Sequence, residues 1–184
     1  MDSRNTITVT PHARILAGNL RNKLWLRVSG KGSHEISPQL KCYAGARIDE
    51  GARHFVVDLE ACPTMDSTFM GTLTGIAVRL MEHPGGRLQV VNVNERNRTL
   101  LANLGLDNVF EVDHDGSAWR EEREMVKATL TDEVPSGEPA GGEDERRECL
   151  IEAHENLCEA HEANRPKFRD VLECLKSNRE SQPA

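Results

Sequence analysis

Three β-rich runs, spaced by segments of helical length, constrain this chain more than any other feature. They are Leu24–Val28 (LWLRV), Phe55–Leu59 (FVVDL) and Leu88–Val93 (LQVVNV). Strands separated by helices are joined by crossovers, so the alternation predicts an α/β fold whose sheet contains parallel pairs. The FVVDL run is almost wholly apolar, the pattern of a strand covered on both faces at the centre of a sheet. Val109–Val112 closes the series, and Ile7–Thr10 with Ala13–Leu16 supplies an edge hairpin ahead of it.

Local signals place the helices. Ser37 serves as an N-cap with Pro38 at the first helical position, where a missing N–H costs nothing, and this helix runs to Glu50-Gly51. A second helix extends from Ser67 to Met81, and Phe69, Leu73, Ile76 and Leu80 form its buried face at i, i+4, i+7 and i+11. Gly71 and Gly75 on this helix would permit a close approach to the sheet, and Pro84-Gly85-Gly86 ends it. Asn94 caps a shorter helix carrying Leu100, Leu101 and Leu104, with Gly105 as its C-terminal cap.

Charge divides the chain. Over 184 residues the net charge is −7, of which residues 1–114 carry +1 and residues 115–184 carry −8. From Asp115 to Glu145, Gly, Pro, Ser and acidic residues dominate, and so weak an apolar pattern cannot offset the entropy of ordering. That stretch reads as a flexible acidic linker in which Trp119, Met125 and Val126 dock locally. The division is a domain over 1–114, a linker over 115–142 and a C-terminal α-helical hairpin over 143–184. The hairpin helices run from Glu143 to Ala163 and from Pro166 to Ser177, meeting at Asn164-Arg165. One carries Leu150, His154, Leu157 and His161 as a stripe, the other Phe168, Val171, Leu172 and Leu175. Helices this short need a surface to pack on. The domain itself, a second copy of the chain or another protein would each supply one. His154, Cys158 and His161 stand at i, i+4 and i+7, a spacing that could in principle hold a metal ion. No fourth ligand is fixed by spacing and the same stripe describes packing, so no metal or other cofactor is expected.

Acidity and an aromatic content of 4% argue against nucleic-acid binding. No apolar run approaches the roughly 20 residues that span a bilayer, and the start has no signal segment. Five cysteines show no paired spacing. A cytoplasmic protein without membrane insertion is the expectation. Gly-x-Ser-x-Gly, HExxH and Cys-x-x-Cys do not occur, which leaves hydrolase and metalloprotease readings without support. Ser29-Gly30-Lys31-Gly32-Ser33 lacks the spacing of a P-loop and reads as a strand–helix connection lining a partner surface. His34, His54, His83 and His114 fall in or near loops and read as solvated.

The stretch from Phe55 to Gly71 is FVVDLEACPTMDSTFMG. An apolar strand, Asp-Leu, a short loop and Met-Asp-Ser-Thr at a helix start resemble the STAS domain of bacterial anti-sigma factor antagonists. The later VVNVNERNRTLLANLGLDNVFEV resembles the closing strand–helix–strand of that family, and the resemblance spans roughly residues 6–113. It implies a STAS-like mixed sheet with helices, and a phosphoacceptor at Ser67, with Thr68 as the alternative. Asp66, Ser67, Thr68 and Phe69 would form the partner-binding site. The implied partners are an anti-sigma factor serine kinase, bound by the unmodified form and lost on phosphorylation, and a serine phosphatase that restores binding. Such a protein regulates transcription as a switch and a substrate, not as an enzyme.

Phe69 departs from the pattern, since Gly is usual there, and Met70 replaces the usual Leu or Val. The ring either adds bulk beside the acceptor or turns inward to extend the core, as its periodicity indicates. On residue types alone, Asp66 simply caps the helix and Ser67 and Thr68 are ordinary first-turn residues. The alternative function is a non-phosphorylated STAS scaffold or accessory subunit of a signalling or transport assembly. In either case the hairpin is a candidate surface for self-association.

Overall fold

Period-two alternation along the strands gives the sheet two apolar faces, and both are covered. The computed structural model describes residues 12–135 and 142–180. Its five strands lie in chain order: β1 (Arg14–Leu20), β2 (Lys23–Ser29), β3 (His54–Ala61), β4 (Arg87–Val91) and β5 (Glu111–Val112). β1 pairs antiparallel with β2, and the remaining pairs are parallel, so the sheet is mixed and β3 is central. β1 and β2 turn at Arg21-Asn22, whose φ values of 49° and 61° fit a two-residue type I′ connection. The edge hairpin is therefore made differently from expectation: Ala13–Leu16 runs into β1, which pairs with β2. Ile7–Thr10 lies outside the described residues.

On one face, Leu24, Leu26 and Val28 of β2, Phe55, Val57 and Leu59 of β3, and Leu88 and Val90 of β4 join the main core. Helices α1 (Ser37–Asp49), α2 (Ser67–Met81) and α3 (Glu95–Asn103) pack over them through Leu40, Leu73, Leu80 and Leu101, among others. Ser37 is not the cap of α1. Ile36 holds that position without a side-chain bond, while Ser37 Oγ donates 2.8 Å back to the Ser33 carbonyl and Pro38 lies in the first turn. Asn94 does cap α3, its side chain accepting from Asn97 N at 2.8 Å, and Gly105 follows at φ 68°.

Trp25, Val56 and Val91 point to the opposite face, and helix α4 (Arg120–Thr129) covers them with Val126. The first part of the expected linker is thus ordered. Its apolar pattern is sparse because α4 is held largely by polar groups. Arg123 is ion-paired with Asp113, both side chains being less than a tenth exposed, and donates 3.0 Å to Asn92 Oδ1. Trp119 Nε1 donates 2.8 Å to Gln89 Oε1 and its ring carries Lys23 Nζ 3.9 Å above the centroid. Beyond α4, Asp132 O accepts from Ala17 N and Val134 N donates to Ile15 O, both at 2.8 Å, which closes the outer edge of β1.

His54 belongs to this second face, not to a solvated loop. Its Nε2 lies 2.7 Å from Gln89 Oε1 and its ring meets Trp119 edge-on. Burial holds the imidazole below its ordinary pKa of 6.5 against the opposing Gln89 bond, with the charges of Arg87 and Lys23 adding to the depression. The unfolded chain then binds the proton more tightly than the fold. Stability is complete above the unfolded value and falls as pH drops through it. Urea unfolding across this range is expected to show such a loss below pH about 6.5, reduced in His54→Gln.

The C-terminal elements are α5 (Gly142–Ala160), a 3-10 turn over Glu162–Asn164, and α6 (Arg165–Glu180). They fold back on the same chain. Leu157 enters the main core, with Ala160 and Phe168 at its margin. Asn164 Nδ2 donates 2.9 Å to Leu104 O, and Lys167 Nζ donates 2.8 Å to Asn103 O. α5 lies along α2. Gly71 and Gly75 serve this approach rather than one to the sheet: a Cβ at Gly71 would collide with the Ala153 carbonyl, and one at Gly75 with the Asn156 side chain.

Candidate functional site at the start of helix α2

The loop after β3 is fixed from two sides. Asn94 and Asn97 donate to Cys62 O at 3.0 and 2.8 Å. Gly32 N donates 3.0 Å to Thr64 O, and Asp66 N donates 2.9 Å to Gly32 O, tying the loop to the connection after β2. That connection must carry Gly at 32, because a Cβ there would stand 2.7 Å from the Phe69 ring. Phe69 is fully buried and Thr68 nearly so. Phe69 therefore extends the core, as its periodicity indicates, and offers no side-chain surface to a partner.

Asp66 is the N-cap. Its backbone is extended (φ −99°, ψ 173°), and Oδ1 accepts from Phe69 N at 2.9 Å. The second oxygen, Oδ2, accepts 3.0 Å from His34 N. The capping role read from residue types is realised, and the carboxylate also anchors the β2–α1 connection. Asp66→Ala is expected to cost about 1 kcal/mol in denaturant unfolding, the usual worth of such a cap.

Ser67 is the first residue of α2 and is half-buried. Its Oγ lies 3.0 Å from His154 Nε2, across from α5. His154 Nδ1 is 2.7 Å from Leu150 O. A carbonyl can only accept, so Nδ1 carries the hydrogen, and in the neutral ring Nε2 accepts from the Ser67 hydroxyl. Phe168 of α6 packs against the ring at a tilt, with centroids 5.2 Å apart.

His154, Cys158 and His161 do not converge. His154 is engaged at both nitrogens, His161 caps the 3-10 turn by accepting from Ala163 N, and burial pushes the Cys158 thiol up, away from the thiolate a metal would need. Among the described residues no group of three or more His, Cys, Asp or Glu is placed to hold a metal ion. No helix among them is long and apolar enough to cross a membrane. His34 and His154 are site neighbours that sequence reasoning assigned elsewhere, to solvent and to a packing stripe. Their link to Asp66 and Ser67 exists only through tertiary contact.

A mixed sheet flanked by helices, with Asp-Ser-Thr opening the helix after its central strand, frames the site. The STAS domain family model matches residues 13–117, more than half of the chain, and the protein belongs to that family. Solved structures agree at the level of fold. A candidate anti-sigma factor antagonist of Thermotoga maritima is 19% identical, with a TM-score of 0.52 over 59% of this chain and 94% of that one. The unphosphorylated anti-sigma factor antagonist SpoIIAA is 19% identical, with a TM-score of 0.50 over 64% and 99%. An anti-sigma factor antagonist from Mycobacterium paratuberculosis is also 19% identical, with a TM-score of 0.50 over 62% and 94%. Comparison with curated proteins gave no match. The family match ends before α4, so α4, α5 and α6 lie outside it.

Proposed function

We propose that this protein is a protein-binding switch of the anti-sigma factor antagonist type, with Ser67 as its phosphoacceptor. The observation that carries this reading is the placement of Ser67 as the first residue of a 15-residue helix, beside a capping aspartate. Its partner is an anti-sigma factor with serine kinase activity. The kinase transfers the γ-phosphoryl group of a nucleoside triphosphate to Ser67 Oγ, the hydroxyl proton leaves, and nucleoside diphosphate is released. A phosphatase adds water across the phosphoester, which returns the serine and inorganic phosphate. The protein is a substrate in both steps and catalyses neither, and a cytoplasmic setting accords with this chemistry. Thr68, nearly buried, is the less accessible hydroxyl.

The helix dipole favours an anion at its N-terminus by about 0.3–1 kcal/mol. Phosphorylation nevertheless adds roughly −1.5 to −2 charge next to Asp66, and pressing that charge against a partner costs desolvation and repulsion. The fold survives and the interface is lost. The bond from Ser67 to buried His154 favours a second reading, a STAS scaffold that is never phosphorylated. Peptide mass spectrometry on protein isolated from its native cells separates the two. Phosphate on the Ser67 peptide, absent in Ser67→Ala, is the predicted result, and an unmodified peptide through growth and stress overturns the switch.

A further inference from the structure

Resting on the reading of Ser67 as acceptor, we propose that the C-terminal hairpin is a built-in occupant of the acceptor face, competing in cis with the kinase for one side of α2. Ser67, Gly71, Thr74 and Gly75 fall on that side by helical spacing. α5 lies along it, with His154 on Ser67 Oγ, the Ala153 carbonyl against Gly71, and Asn156 Nδ2 3.4 Å from Gly71 O. The Ser67 lone pairs must face the incoming phosphorus in line, and the ring of His154, 3.0 Å away, fills part of that approach. A phosphate on Ser67 would set three oxygens against the same buried ring. The closed hairpin and the phosphorylated serine therefore exclude one another.

The α2 side of this contact tolerates opening. Thr72 and Thr74 each donate 2.9 Å to carbonyls of α2 itself, so both hydroxyls keep a partner when α5 moves away. On the α5 side, Cys149, Ala153 and Leu157 are buried, so closure is favoured and the closed form is the resting one. Leu157, Phe168 and the Lys41–Glu152 ion pair hold the hairpin shut from its margins. A partner that needs the open form sees its affinity reduced by the fraction of chains that are open. The Ser67 phosphate, once added, keeps the hairpin away.

Full-length Ala153→Arg lifts α5 from Gly71 without altering the STAS surface. Amide exchange on the purified variant is expected to show α5 opened with the sheet still protected. In native cells its Ser67 phosphorylation rate is expected to rise roughly tenfold, as when the competent form goes from a tenth of the chains to nearly all. His154→Ala, which removes only the ring over Ser67, is expected to raise it severalfold. An opened α5 with an unchanged rate overturns the cover and leaves the acceptor reading standing. A lower rate in His154→Ala would make the ring an aid to transfer and also overturns it, as does an α5 that stays protected in Ala153→Arg. Absence of phosphate from every form, including the opened one, removes the acceptor reading and this inference with it.

Discussion

Phe69→Ala is expected to destabilise the protein by about 3–5 kcal/mol, the range for removing a fully buried aromatic ring from a core. The ring is completely buried and rests on the backbone of Gly32, so its loss opens a hole between α2 and the connection after β2. That connection also holds Asp66 through Gly32 O and His34 N, and the cavity would loosen the start of α2. Denaturant unfolding of the full chain checks this directly. A loss below about 1 kcal/mol, the size expected for a surface change, would contradict the packing described. Gly, usual in the family at this position, would be a poor replacement here because the β2–α1 connection is shaped around the ring.

Arg123→Ala is the second large effect, at about 3–5 kcal/mol, the cost of breaking a buried ion pair from one side. Asp113 would be left nearly buried without its cation, and Asn92 Oδ1 and Gly116 O would each lose a donor. α4 should then come away from Trp25, Val56 and Val91, which near-ultraviolet circular dichroism and tryptophan fluorescence would register. Replacing both members, Arg123→Met with Asp113→Leu, should recover part of the loss, because an apolar pair requires no compensation for desolvation. If the double variant is as unstable as the single one, the ion pair is not what fastens α4.

FVVDL revealed the central strand because burial on both faces leaves no polar alternation, and Asp66 revealed the start of α2 because a cap and a helical stripe coincide there. The inward turn of Phe69 followed from the same stripe. α4 was not legible, since only Val126 faces the second apolar layer strongly and its main fastening is a charge pair formed with Asp113 in the loop before it. Gly71 and Gly75 mark a close approach, but a stripe of small residues does not say which element approaches, and it is α5 rather than the sheet. The contact between Ser67 and His154 spans 87 positions, and nothing local to either residue announces it. Ser37 does not cap α1 because its hydroxyl turns back to the Ser33 carbonyl, a turn before the helix.

On the proposed switch, the charge state of Ser67 decides which protein this chain holds. Affinity capture from native cells with full-length Ser67→Ala and Ser67→Asp, followed by quantitative mass spectrometry, tests it most directly. A protein carrying a serine kinase domain is expected to accompany Ser67→Ala and to be depleted at least about tenfold, 1.4 kcal/mol in binding, with Ser67→Asp. Equal recovery of the same partners by both variants would contradict it and leave a constitutive STAS scaffold.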